Sequence, residues 1–241
     1  MSTPDTESPA APLGDTGYRE PGAARISLRT AAILLAFTLV FTALMAGTYR
    51  ATAPLLAASA QAEKLRLVSE VLPPASYDND LLADAVTLPA VRALGLDAGT
   101  RLYRARRGGE PVALVLEAAA PDGYSGRISL ILAVDAGGRL KAVRVTAHKE
   151  TPGLGDYIDP KKDRNKSRPW ITQFDGLGQE AIASGQWKVR KDGGRIEQMA
   201  GATISARAVT NASARAAAWA HARQAMLYSL PSGSTVEGAS P

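Results

Sequence analysis

Two short loops hold the residues whose types and spacing point to chemistry. Met199-Ala200-Gly201-Ala202-Thr203-Ile204-Ser205 falls where strand-like sequence gives way to a closing helix. A loop that opens into a helix presents unpaired backbone N–H groups at the positive end of the helix dipole, a cradle suited to phosphate. Gly201 permits close backbone approach, Ala202 adds little bulk, and Thr203 puts a hydroxyl at the helix mouth. Read alone, such a turn is equally an ordinary helix cap. The second loop, His148-Lys149-Glu150-Thr151-Pro152-Gly153-Leu154-Gly155-Asp156, has φ fixed at Pro152 and freed at Gly153 and Gly155. It can therefore fold tightly and turn N–H groups toward a ligand, although by itself it too reads as a polar turn.

Composition narrows what these loops could serve. The 241 residues include no cysteine and two histidines, His148 and His221. Disulfides, thiolate metal sites, iron–sulfur clusters and a cysteine nucleophile are excluded, and no metal site is expected. The formal charge of +5 suits a membrane surface or a nucleic acid equally. Aromatics at 5% are too few for stacking platforms, so no nucleic-acid partner is expected. Nucleophile-elbow, P-loop and dinucleotide fingerprints are absent from the sequence. A basic run, Lys161, Lys162, Arg164, Lys166 and Arg168, reads as a solvated loop or as a docking face for acidic lipid or partner subunits. Trp170 and Trp187 read as core, and His148 as a structural residue at a strand end.

The elements that must position the loops follow from pattern. Strand-like runs cover Arg101–Arg106, Val112–Ala118, Arg127–Val134 and Leu140–Thr146, the last two joined by Asp135-Ala136-Gly137-Gly138-Arg139 as a hairpin. A loop or short helix is expected around Asp78–Ala85, a short helix near Gly178–Ser184 and a strand at Trp187–Arg190. Ser205–Leu227 carries Val209, Ala212, Ala216, Trp219 and Met226 near helical spacing, a closing amphipathic helix. Helices at both ends and an antiparallel sheet between them predict one α+β domain over residues 73–230.

Ahead of that domain lies a different kind of sequence. Residues 1–29 have the composition of a disordered tail. Thr30 to Thr48 carries no charge, about the length that crosses a 30 Å hydrocarbon layer, so 30–49 reads as a single transmembrane helix. The rival, a cleaved signal peptide, has a shorter apolar region nearer the start. Residues 50–72 form a juxtamembrane helix ended by Pro73-Pro74, and 231–241 a flexible tail. Arg25 and Arg29 lie closest to the apolar run, which places the tail in the cytoplasm and the domain outside it.

Taken together, HKETPGLGD at 148–156, EQMAGATIS at 197–205, GYSGRI at 123–128 and the single membrane helix resemble the G subunit of the Rnf electron transport complex. The resemblance spans roughly Arg50 to Leu230. It implies a flavoprotein fold with FMN joined through its phosphate to a threonine hydroxyl, as in the similar C subunit of the sodium-translocating NADH:quinone reductase. The Gly-Ala-Thr pattern carries that linkage onto Thr203, with Gly201, Ala202 and Ile204 around it. Glu150, Thr151, Gly153 and Leu154 match the family loop that lies beside the flavin. Glu197 stands where the pattern usually has Asp, and Ala200 where Ser or Thr is common. The implied role is an electron carrier within a translocase coupling ferredoxin and nicotinamide redox chemistry to ion transport across the bacterial inner membrane. Implied partners are the other complex subunits, a flavin transferase and membrane lipid. The quinone-reductase role and an unflavinylated scaffold are the alternatives.

Overall fold

The computed structural model describes residues 22–236. The tail expected over residues 1–21 and the last residues, 237–241, lie outside the described residues. The first helix, α1 (Ala23–Val71), starts seven positions before Thr30, correcting the expected tail boundary at 29. Nothing between Gly22 and Thr30 breaks a helix, and Arg25 and Arg29 are good helix formers.

The chain divides into two units, Met1–Ala58 and Ser59–Pro241. In the first, Ala24–Ala53 is long and apolar enough to cross a bilayer. Its large apolar side chains, Leu34, Phe37, Leu39, Val40 and Phe41 among them, are exposed all round. Thr30, Thr38, Thr48 and Thr52 return their hydroxyls to carbonyls four residues back, at 2.8 to 3.0 Å. Polar side chains that satisfy themselves on their own helix need neither water nor a partner, which suits a helix meant for lipid.

The second unit is built on a five-stranded antiparallel meander in the order β1-β2-β3-β4-β5. The strands are β1 (Ala85–Leu88), β2 (Thr100–Arg107), β3 (Glu110–Gly123), β4 (Gly126–Asp135) and β5 (Leu140–Ala147). The predicted α+β architecture and its four strand runs are present. Residues 78–84 form the expected loop, and β1, which pattern reading missed, follows it. β1 is only four residues long, and its pairing with Thr100–Tyr103 supplies what its length cannot.

Over the middle of β2, β3 and β4 side chains alternate between two cores. On one face Leu102, Leu114, Leu116, Leu130, Leu132 and Val143 pack against the long closing helix α3 (Thr203–Ser229). Ala206, Val209, Ala212, Ala216 and Ala220 line the buried side of α3 and let it lie close to the sheet. On the other face Tyr103, Ala105, Val115, Ile131 and Ala133 are covered by Val68 and Val71 at the end of α1 and by Leu72 just after it.

Both sheet edges are covered. The segment after α3 runs along β1, with Thr87 N–H donating to Ser234 O at 2.8 Å and Val236 N–H to Thr87 O at 2.9 Å. Val236 is buried, so the flexible tail expected from 231 is ordered as far as 236. It fills the hydrogen-bonding edge that a short outer strand leaves open. Along β5, Leu140 exchanges backbone bonds with Leu177 and Gly176. The short helix α2 (Gln179–Ala183) forms as expected. The strand expected at Trp187–Arg190 does not: one bridge, Val189 to Ile196, precedes a 3-10 turn at Arg190–Asp192. Trp187 N–H goes to Ala181 O instead, and its ring is buried against Phe174.

Candidate functional site

Three turns meet at the N-terminal end of α3. They are the β3–β4 tip at Gly123–Gly126, the loop after β5 at His148–Asp156, and the Met199–Ala202 turn that starts the helix. Glu150 ties them together. It is buried at 4% exposure, its Oε1 accepts the Ser125 N–H at 3.1 Å, and its Oε2 accepts the Ser205 hydroxyl. The packing leaves no room for side chains at two glycines. A Cβ on Gly123 would lie 2.8 Å from Glu150 Oε1, and one on Gly155 2.7 Å from Ser205 Oγ. His148 completes the knot as a structural residue, its Nδ1 accepting the Glu150 N–H at 3.1 Å.

The knot leaves the helix end open. Ala202 occupies the N-cap position, where no side chain supplies a capping bond, and the first intrahelical bond, Ala206 N–H to Ala202 O, is long at 3.4 Å. Gly201 holds φ at +84°, a conformation that an L side chain adopts only with strain, and it bends the chain into the helix. Thr203, half-buried, is the first helical residue and Ile204 beside it is exposed. An uncapped helix N-terminus with a hydroxyl in its first turn is the arrangement a phosphate group completes: the free N–H groups and the dipole favour its charge.

The structure brings most of the expected site residues to this place. Leu154 reaches to 4.0 Å from where a Gly201 Cβ would be, and is half exposed. Thr151 O accepts the Leu154 and Gly155 N–H groups, and Gly153, at φ +76°, donates to Asp156 Oδ1 at 2.9 Å. Thr151, Gly153, Leu154, Gly201, Ala202, Ile204 and Thr203 thus belong to adjoining turns. Glu150 lies beneath them with both carboxylate oxygens turned to protein donors, so it positions the site rather than facing a ligand.

Residues that pattern reading passed over hold the approach to the helix. Tyr157 accepts the Met199 N–H at 3.1 Å; burial raises its pKa above the ordinary 10.0 against that lowering bond, so the hydroxyl keeps its proton. Gln173 Oε1 accepts the Glu197 N–H at 2.8 Å, and Trp170 Nε1 donates to Glu197 O. Arg207 in the second turn of α3 grips Asp192 with two bonds of 2.6 and 2.7 Å. Ser205 was part of the loop by sequence, but its role depends on a carboxylate 55 residues away, and no local signal marks it. Trp170 and Trp187 are buried, as expected of core residues, and the basic run 161–168 is an exposed loop apart from Asp163. Among the described residues no cluster of acids and histidines could hold a metal.

Residues 123–218, which contain all three turns, match the FMN-binding domain family, and residues 23–71 match the RnfG N-terminal region. A protein of Pseudomonas aeruginosa, described as the G subunit of an ion-translocating oxidoreductase complex, is 46% identical over 188 residues, covering 78% of this chain and 86% of its own length. Proteins of the same description from Shewanella loihica and Photorhabdus laumondii are 37% and 41% identical, covering 88% and 84% of this chain and 98% and 93% of theirs. The quinone-reductase alternative is not favoured by these relatives. An antiparallel sheet closed by a helix with an open N-terminus, an apolar helix ahead of it, and relatives this similar over most of the chain place the protein in one family: it belongs with the G subunits of ion-translocating oxidoreductase complexes.

Proposed function

We propose that the chain is a membrane-anchored flavoprotein subunit whose FMN is joined through its phosphate to Thr203 Oγ1, and that it relays electrons inside an ion-translocating oxidoreductase complex of the Rnf type. The observation that carries this reading is the uncapped start of α3, with Thr203 at its first position behind the positive-φ Gly201. A phosphodiester retains one negative charge, and a helix N-terminus favours such a charge by about 0.3–1 kcal/mol. FMN supplies a centre that exchanges one or two electrons, chemistry that a chain without cysteine, and without an acid–histidine cluster for a metal among the described residues, does not otherwise offer.

The chain's own residues do the rest. The first-turn N–H groups of α3 receive the phosphate oxygens. Leu154 and Ile204, both exposed beside the attachment turn, provide apolar cover for a planar ring. The Glu150–Ser205–Ser125 knot keeps the turns at fixed spacing, so that the electron carrier is held still between donor and acceptor.

In this reading Ala24–Ala53 anchors the chain in the bacterial inner membrane and the domain from 73 onward stands on the periplasmic side. The complex couples ferredoxin and nicotinamide redox chemistry to ion movement. A separate flavin transferase loads Thr203, and other subunits and membrane lipid are the partners. Coexpression with a flavin transferase tests the linkage: the denatured protein band should fluoresce under ultraviolet light and Thr203→Ala should be dark. A dark wild-type band would instead favour an unflavinylated scaffold. A reporter fused after Leu230 that is active only in the cytoplasm would overturn the orientation.

A further inference from the structure

The basic loop of residues 161–168 takes no part in the knot beneath Thr203, yet its shape is fixed. Asp159 Oδ1 accepts the Lys161 N–H at 2.9 Å, and the buried Asp163 accepts the N–H groups of Asn165, at 2.9 Å, and of Trp170. Lys166 Nζ braces the turn on the carbonyls of Pro160 and Lys161, at 3.2 and 2.7 Å. The acids of the segment are thus turned to backbone donors, while Lys161, Lys162 and Arg164 are exposed. None of these three forms an ion pair among the described residues.

The place of the loop in the domain decides what such a surface meets. A hydrogen bond from Arg66, at 2.8 Å, holds the Glu63 carboxyl below its ordinary value, and the Lys161 charge lowers it further. Lys161 therefore lies near the juxtamembrane part of α1, far from it in sequence. Ten residues of α1 separate Glu63 from Ala53, where the apolar span ends, about 15 Å of helical rise. Headgroups fill about 6 Å beyond the hydrocarbon, and charges act over about 8 Å at physiological ionic strength. A cationic loop beside Glu63 is within electrostatic reach of a lipid surface. Because the anchor already tethers the domain, the contact is intramolecular and a weak attraction suffices.

We propose that Lys161, Lys162 and Arg164 dock the domain on the bilayer through anionic phospholipid headgroups. The inference rests on the proposed membrane anchor and not on the flavin. Fixed cations whose neighbouring acids are spent on the backbone present an unneutralised positive surface, the kind that anionic lipid attracts.

The chain has no cysteine, so one can be introduced as a probe. Full-length Ser167→Cys, with its probe at an exposed loop position, is placed in lipid nanodiscs made of phosphatidylcholine alone or with one phosphatidylglycerol in three lipids. It is then reacted with a maleimide on an uncharged polymer, whose bulk keeps it from a loop lying on the bilayer. Reaction should be roughly tenfold slower in the anionic discs. High salt should remove the difference, and Lys161→Gln/Lys162→Gln/Arg164→Gln in the same probe chain should abolish it. Glu110→Cys should react at one rate in both discs. It begins a strand beside the hairpin held by Asp78, whose Oδ2 accepts the Gly108 N–H at 2.8 Å, seven residues past the far end of α1. Equal rates for Ser167→Cys in the two discs, slowing that persists in the triple Gln variant, or equal slowing of Glu110→Cys would overturn this inference alone. Slowing that appears only with the other subunits of the complex present would assign the loop to a protein partner and overturn it too. A chain that does not co-purify with the discs would overturn the anchor and this inference with it.

Discussion

At its C-terminal end α3 gives its carbonyls to arginine, whereas at its N-terminal end no side chain caps it at all. Arg104, only 2% exposed, donates to Leu227 O at 2.9 Å and to Leu230 O, and Arg106 donates to Tyr228 O at 2.9 Å. Asp84 balances the pair, accepting Arg104 Nε at 2.8 Å and Arg106 Nε at 2.9 Å, and Ser232 bridges Arg104 and Asp84. Positive charge at a helix C-terminus and satisfied terminal carbonyls are a structural ending. The other end has its turns bound together by Glu150 while the helix N–H groups stay free. Where a helix end exists for the fold, protein groups complete it; where it exists for a ligand, the protein holds the surroundings and leaves the end itself incomplete.

Substitutions at the two ends should therefore separate stability from flavin loading. Arg104→Ala should cost most, about 3–5 kcal/mol in urea unfolding, because it removes one side of a buried ion pair and orphans α3 carbonyls. The folded fraction should still take up flavin. The same clasp predicts a dependence on acid. Burial pushes the Asp84 carboxyl up, but hydrogen bonds from Arg106, Ser232 and Arg104 outweigh it and set the pKa below the ordinary 3.8. Its contribution is complete above the unfolded value and is lost as pH falls through the lower folded value. Stability should thus drop below about pH 4, and Asp84→Asn should flatten that limb of the pH profile.

At the site end the costs are smaller and the functional losses larger. Glu150→Ala leaves the Ser125 N–H and the Ser205 hydroxyl without their acceptor and should cost about 1–3 kcal/mol, with flavin fluorescence of the gel band greatly reduced. Gly201→Ala forces a side chain to φ +84° and should cost about 1–2 kcal/mol, again with weaker loading. Thr203→Ala should change stability by no more than about 0.5 kcal/mol and yet abolish the fluorescent band. If Thr203→Ala proved as destabilising as Arg104→Ala, the contrast between the two ends would fail.

The candidate site was largely readable from sequence because its turns carry local signals. Gly201, Gly153 and Pro152 announce special backbone, and the Ala-rich periodicity from Ser205 announces a helix to follow. Glu150 was found for a different role from the one it plays. Its residue type says acid, but only the fold shows that both its oxygens face protein donors. β1 and the segment at 233–236 were missed for a related reason. Each is too short to show a period: β1 is ordered by its ladder with β2, and 233–236 by hydrogen bonds to β1.

The sequence by itself determined an apolar helix without charge from Thr30 to Thr48, a set of alternating strands, an Ala-rich closing helix, and a Thr placed at that helix's mouth. These depend on periodicity and on backbone freedom, properties of a few neighbouring residues. Tertiary structure alone decided that α3 would be clasped at one end and open at the other, and that Glu150 would join turns 25 and 55 residues distant. Charge neutralisation and the satisfaction of buried polar groups are settled among residues far apart in the chain, and only the folded sheet brings them within reach.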